Sequence, residues 1–208
     1  MNLATAQNYA NRIIDWLRPH IETREHLIGY GSIHVAGSIR RHRPECGDVD
    51  IVCLPRITEQ KDMLGEVIEH TNHLWNHIVT ERAAGRLTIE SGGEKPGRMM
   101  IAQLRKCQLD LWFATRETFG TRLMCRTGSK EHNIWMASRA KRRGWKWNPY
   151  EGLFTGGIWT TGPSGVEAYA GGTLHPARTE AEIYQALDLP FIEPQNRELP
   201  WLVKEFGE

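Results

Sequence analysis

The sequence predicts an α+β protein: a mixed β-sheet with flanking helices, followed by a small second α/β subdomain. Three observations carry this. Short apolar runs at 33–36, 49–54, 87–90, 99–104 and 108–113 have strand length and are bounded by turn residues. Longer stretches at 3–18 and 63–78 repeat apolar residues at three- and four-residue spacing. After Ala114 the composition shifts toward Gly, Thr and Pro. The boundary is placed there, giving residues 1–114 and 115–208.

In chain order, Leu3, Ala6, Ala10, Ile13, Ile14 and Leu17 form one helical face, which Pro19 ends. Gly29, Tyr30 and Gly31 make a loop before the first strand. Ile33 to Ala36 is a strand that enters a turn at Gly37-Ser38. Val49 to Leu54 is the next strand. Pro55 breaks the chain and Thr58 is read as an N-cap. Met63, Leu64, Val67, Ile68, Leu74, Trp75 and Ile78 are read as the stripe of one long helix. That helix also carries His70, His73 and His77, for which no role is assigned. Strands at 87–90 and 99–104 are joined by a Gly-rich turn over 91–97. Arg105-Lys106-Cys107 turns into a strand at 108–113. In the second part, His132 to Arg143 reads as a helix capped by Ser129 and ended by Gly144. Residues 152–178 suit a small twisted sheet. Thr179 to Leu187 reads as a helix with a capping box, and a Pro-rich extended tail follows.

Composition limits the function classes. The chain has 208 residues, 40% hydrophobic and 25% charged, with a formal net charge of +1. That composition suits a globular protein. No apolar run approaches the ~20 residues of a membrane helix, and no signal peptide is read, so a cytoplasmic location and no membrane partner are expected. The four cysteines, Cys46, Cys53, Cys107 and Cys125, form no Cys-x-x-Cys pair and suggest neither zinc nor a disulfide framework.

The chemistry gathers at Gly37-Ser38-Ile39-Arg40-Arg41-His42-Arg43-Pro44-Glu45-Cys46-Gly47-Asp48-Val49-Asp50. Gly37 and Ser38 offer backbone N–H groups and a hydroxyl, a phosphate-cradling arrangement flanked by arginine charge. In a strand, residues two apart share a face, so Asp48 and Asp50 would point the same way, about 7 Å apart along the strand. Two carboxylates beside phosphate-binding groups suit Mg²⁺, a hard cation that shares its oxygen ligands with substrate phosphates. Asp110 is the single acid in the apolar run 108–113. Arg139, Lys141, Arg142, Arg143 and Lys146 form a basic segment with no acid among them, the footprint of phosphate-backbone binding.

Gly-Ser, an arginine-rich turn and then Gly-Asp-x-Asp resembles the nucleotidyltransferase signature. With two arginines after Gly-Ser-Ile it resembles the DNA polymerase beta-like family, family X. Arg126-Thr127-Gly128-Ser129 with Asn133 is similar to a second segment of that family, and Thr179 to Pro194 to its closing segment. Together these span roughly residues 30 to 200.

The resemblance implies a nucleotidyltransferase palm followed by a thumb-like subdomain. It implies a template-directed DNA polymerase that adds nucleotides from a deoxynucleoside triphosphate to a primer 3′-hydroxyl, in short-gap filling or DNA repair. Asp48, Asp50 and Asp110 would hold two Mg²⁺ ions, with Mn²⁺ as a substitute. Gly37, Ser38, Arg40, Arg41, Gly47, Gly128, Ser129 and Asn133 would contact the nucleotide. The basic segment would contact a DNA primer-template, and the chain would act as a monomer. The N-terminal lyase domain and helix-hairpin-helix region of larger members are not expected.

Two departures stand out. Cys125-Arg126 replaces an aromatic pair beside the nucleotide sugar, leaving less of a wall against a 2′-hydroxyl. Cys46 stands where typical members have a phosphate-contacting serine. The alternatives are a nucleotidyltransferase acting on an RNA end, a protein or a small molecule, and a catalytically idle nucleic-acid-binding protein.

Overall fold

The fold was analysed in a computed structural model that describes residues 1–23, 31–93, 99–149, 151–162 and 164–198. Most of the loop expected before the first strand, residues 94–97 of the expected 91–97 turn and the end of the tail lie outside the described residues. The chain divides into two compact units. One comprises Met1–Ile39 and Arg43–Thr115, the other Arg40–His42 and Arg116–Glu208.

The first unit opens with α1 (Leu3–Leu17), capped by the Asn2 side chain, which accepts from the Thr5 amide at 2.9 Å. A 3₁₀ turn containing Pro19 follows directly. The apolar positions of α1 that the spacing singled out are the ones that pack: Ala6, Ala10, Ile13 and Leu17 are buried. They meet a five-stranded mixed sheet in the order β1-β2-β7-β6-β5. Its strands are β1 (Ile33–Val35), β2 (Val49–Cys53), β5 (Leu87–Gly92), β6 (Met99–Leu104) and β7 (Gln108–Phe113). Strands β2 and β7 run parallel, and the other pairings are antiparallel. Period-two alternation divides the sheet. Val49, Ile51 and Cys53 with Leu109, Leu111 and Phe113 face the helical side and form the core. Asp50 and Asp110 occupy the alternate register.

Between β1 and β2 lies α2 (Gly37–Arg40), a single helical turn where the sequence suggested an open turn. The larger correction concerns residues 57–78. The expected helix from Met63 to Ile78 is instead a hairpin, β3 (Ile57–Lys61) with β4 (Val67–Asn72), followed by a shorter helix, α3 (His73–Ala83). Asp62 decides this. Its carboxylate accepts from the amides of Leu64 and Glu66, both at 2.9 Å, and Gly65 follows at φ +85°, so the chain reverses. Met63 and Leu64 sit exposed at the tip, and Val67 and Ile68 are exposed on β4, so the first half of the supposed stripe stays outside the core. Thr58 lies in β3 and is no helix cap. Asn72 caps α3 by accepting from the Trp75 amide at 3.0 Å.

Two histidines of this region contact residues outside α3. His73 hydrogen-bonds Thr58 Oγ1 at 2.9 Å, and the His77 ring stacks on His20 with centroids 4.0 Å apart.

The second unit holds α4 (Phe119–Thr127), α5 (Lys130–Arg142), β8 (Lys146–Asn148), β9 (Gly152–Thr155), β10 (Ile158–Thr161), β11 (Glu167–Ala170), β12 (Thr173–His175) and α6 (Glu180–Ala186). Strands β12, β9 and β8 form an antiparallel sheet, and β10 and β11 a separate hairpin. A second core gathers Met124, Cys125, Trp135, Met136, Trp147 and Tyr184 among others. Helix α4 went unread in the sequence because nearly all of it is buried, including Thr121 and Arg122. A helix buried all round shows no polar face to betray its period. At α6 the capping box has a twist. Thr179 accepts from the Glu182 amide at 3.3 Å, but Glu182 reaches back to the amide of Arg178 at 2.7 Å.

Candidate functional site

In the first unit, Asp50 and Asp110 are direct register partners on the parallel strands β2 and β7. Their side chains leave the same face of the sheet, with Cα atoms about 4.8 Å apart as for neighbouring strands. Strand β7 is central in the sheet, so Asp110 is not an edge residue facing open solvent. Each carboxylate is oriented by a neighbour on β7. Gln108 Nε2 donates to Asp110 Oδ1 at 2.7 Å, and Trp112 Nε1 approaches Asp50 Oδ1 at 3.4 Å.

Asp48 stands one residue ahead of β2, in the bend after exposed Gly47, so the strand itself fixes only Asp50. Gly37 is buried against Asp50. A Cβ at Gly37 would fall 2.0 Å from Asp50 Oδ2, and φ there is +59°, so only glycine fits. Ser38, half-buried, follows it in α2. The glycine of the Gly-Ser motif is therefore required by the carboxylate as well as by the backbone.

Like charges on directly neighbouring strand positions are destabilising. The sheet nevertheless places Asp50 and Asp110 side by side. The donor set is carboxylate oxygen, which a hard divalent cation takes. Among the described residues, no three His, Cys, Asp or Glu side chains gather closely enough to hold an ion by themselves. These residues fit an ion that keeps water and draws its remaining ligands from a substrate, the usual habit of Mg²⁺.

In the second unit, Arg40 and Arg41 are both engaged. Arg40 forms a bidentate pair with Glu180, at 2.9 and 2.5 Å, and donates to Thr127 Oγ1 at 2.6 Å. Glu180 is fully buried and also accepts from Arg197 at 2.7 Å, itself fully buried. Burial pushes the Glu180 carboxyl up, but the guanidiniums of Arg197 and Arg40 outweigh it and hold the group below the ordinary carboxylate range. Arg41 pairs with Glu198 at 2.8 Å and donates to the Thr127 carbonyl. Gly128, at φ +71°, packs against it. Ser129 caps α5, accepting from the His132 amide at 3.2 Å, and its hydroxyl donates to the Arg197 carbonyl at 2.6 Å. Asn133 donates from Nδ2 to the Cys125 carbonyl at 2.8 Å. Cys125 lies in the core, and Arg126 turns away to the Pro149 carbonyl at 3.1 Å.

The sequence reading missed Glu180, Arg197 and Thr127. Glu180 reads as an ordinary first-turn acid of a helix, and Arg197 lies 17 residues away in a tail. No spacing rule joins them.

The basic segment is partly neutralised. Lys141 pairs with Glu167, and Arg143 pairs with Asp188 at 3.5 Å. Arg139 lies over the Trp135 ring at 5.1 Å. Lys146 is on β8, and Arg142 is exposed at the end of α5. Exposed ion pairs contribute little, so these cations stay exchangeable.

His132 titrates within this unit. It is fully buried, with Nε2 2.8 Å from the Tyr184 hydroxyl. Burial and then Arg197 lower its pKa from 6.5 to about 3. The folded state thus holds neutral imidazole. The unfolded chain takes up a proton below 6.5, so this contribution to stability is complete above that pH and is lost as pH falls from 6.5 toward 3. We expect unfolding free energy to drop by up to about 1.4 kcal/mol per pH unit in that window from this group. Denaturant melts at pH 7, 6 and 5 should show the fall, and His132→Gln should flatten it. An equal slope in His132→Gln would assign the acid lability elsewhere.

Residues 122–198 match the family model of the DNA polymerase beta thumb, so the second unit carries a polymerase beta thumb. The chain is also similar over 200 residues to the DNA polymerase/3'-5' exonuclease PolX of Bacillus subtilis (strain 168), at 30% identity. The alignment takes in 96% of this chain but about 30% of that relative's length. Both likenesses are to polymerase beta-like DNA polymerases, family X. Among the described residues, no helix is long and apolar enough to cross a membrane.

Proposed function

We propose that this protein is a template-directed DNA polymerase, with the first unit as a nucleotidyltransferase palm and the second as its thumb. The observation that carries the reading is the register pairing of Asp50 with Asp110 on one face of a sheet. Asp48, Asp50 and Asp110 would hold two Mg²⁺ ions, whose chemistry when bound is to neutralise charge on the attacking and leaving oxygens. The reaction is attack of a primer 3′-hydroxyl on the α-phosphate of a deoxynucleoside triphosphate, releasing pyrophosphate.

The chain's own residues then have distinct tasks. Asp110, oriented by Gln108, would accept the proton of the 3′-hydroxyl. Ser38 and the backbone at Gly37 and Gly47 take phosphate oxygens. Arg40 and Arg41, tied to Glu180 and Glu198, position the segment that follows Ser38 more than they bind phosphate. Asn133 takes the base edge. We place the protein in short-gap repair, acting as a cytoplasmic monomer. The deciding experiment is primer extension on gapped, recessed and single-stranded DNA with Mg²⁺. Extension that copies the template supports a polymerase. Nucleotide transfer only to RNA, protein or small molecules would overturn it.

The basic segment would contact the DNA backbone. Replacing Arg139, Lys141, Arg142, Arg143 and Lys146 with alanine should weaken duplex binding and flatten its salt dependence. The log–log slope should shrink by ~0.9 for each phosphate that is no longer neutralised. An unchanged slope would leave these side chains as a solvated helix face.

A further inference from the structure

A cavity of about 390 Å³ opens in the first unit, between α1 and the turn joining β6 to β7. Helix α1 packs on the core face of the sheet, so the cavity lies on the side opposite the Asp50 and Asp110 carboxylates. Its α1 wall is Tyr9, Arg12 and Trp16, residues three, four and seven apart that share one helical face. The facing turn supplies Arg105, Lys106 and buried Cys107. Trp16 is held from behind by His77, with ring centroids 5.0 Å apart.

The charge here is lopsided. The one acid of the lining, Glu81, is held by Arg86 through two hydrogen bonds of 2.5 Å. Arg12, Arg105 and Lys106 are exposed, and among the described residues none has an acidic partner. Three unpaired cations thus rim a cavity with two aromatic walls. Its volume falls within the range of small-molecule sites.

We propose that this cavity binds a nucleoside monophosphate, with the base against Tyr9 and Trp16 and the phosphate among Arg12, Arg105 and Lys106. A bare anion would leave the aromatic walls unused. An uncharged nucleoside would leave three cations unmatched. Planar guanidinium suits phosphate oxygens, and aromatic faces suit a base. The site does not depend on the polymerase reading, because it lies on the other side of the sheet and uses none of its carboxylates.

The test is calorimetric titration of the full chain with dAMP at low salt in EDTA. Measuring binding rather than synthesis keeps its outcome separate from that of the proposed polymerase activity. Saturable binding is expected, with deoxyadenosine and inorganic phosphate each at least ~10-fold weaker. Arg105→Glu with Lys106→Glu should weaken dAMP at least ~10-fold, since two attractive charges become repulsive. Both positions are exposed, and circular dichroism would confirm the fold. Asp110→Asn should leave dAMP affinity within about twofold by the same reasoning. Any of four results overturns the proposal. These are no dAMP binding, undiminished binding in the charge-reversal variant, loss of binding in Asp110→Asn, or inorganic phosphate binding as tightly as dAMP. A thymidine oligonucleotide that binds far more tightly than dAMP, and fails to bind the same charge-reversal variant, would assign the groove to a DNA strand instead and overturn it as well.

Discussion

Asp110→Asn is expected to lower nucleotide addition by about 10³-fold or more, equivalent to ~4 kcal/mol of transition-state stabilisation. The substitution removes a metal-ligand charge and the proton acceptor together. It keeps an oxygen that can accept from Gln108, so the local hydrogen bond survives. Asp50→Asn should behave alike. Stability should move the other way. Asp50 and Asp110 repel across adjacent strands, so neutralising either should leave the metal-free fold unchanged or more stable by ~0.2–1 kcal/mol. Activity abolished together with stability unchanged or gained separates a functional carboxylate from a structural one. EDTA should stop wild-type synthesis and added Mg²⁺ restore it. Wild-type turnover by Asp110→Asn would remove that residue from the site. Synthesis surviving full chelation would end the two-metal proposal.

The carboxylate face was legible because a strand has an exact two-residue period. Once β2 and β7 were read from their apolar runs, the faces of Asp50 and Asp110 followed. Their mutual register did not follow, since nothing local fixes which two strands pair in parallel. For Asp48 the period carries no orientation, because the strand starts after it.

The hairpin at 57–72 was misread for an opposite reason. Met63, Leu64, Val67 and Ile68 meet helical spacing, yet they are exposed. Apolar periodicity indicates a helix only when the stripe has something to pack against. Asp62 and Gly65 were the turn signal that should have outweighed it. The arginine motif shows a different limit of sequence reading. Arg40 and Arg41 look like phosphate ligands beside Gly-Ser, but their carboxylate partners lie 140 and 157 residues away. Only the folded chain shows those partners.

That long-range pairing gives the largest stability prediction. Glu180 accepts from Arg197 and Arg40, and all three are buried or mostly so. A buried ion pair adds little net stability when complete, because desolvation offsets the attraction. Breaking one is different, because it strands an uncompensated charge. Glu180→Gln keeps the shape of the side chain and removes the charge between two guanidiniums. We expect it to destabilise the second unit by about 3–5 kcal/mol. Acid should imitate the substitution. The Glu180 pKa is lowered in the fold, so its contribution is present above the ordinary carboxylate pKa and is lost as pH falls through the folded value.

The two units need not melt together, so hydrogen exchange at the α6 amides is the appropriate readout. Exchange there should accelerate in Glu180→Gln, with α1 and β2 amides little changed. A second variant separates charge from packing. Arg197→Met in the Glu180→Gln background removes one stranded cation and should recover part of the stability. A destabilisation below ~1 kcal/mol in Glu180→Gln, or no recovery in the double variant, would mean that the network is not held by its central charge.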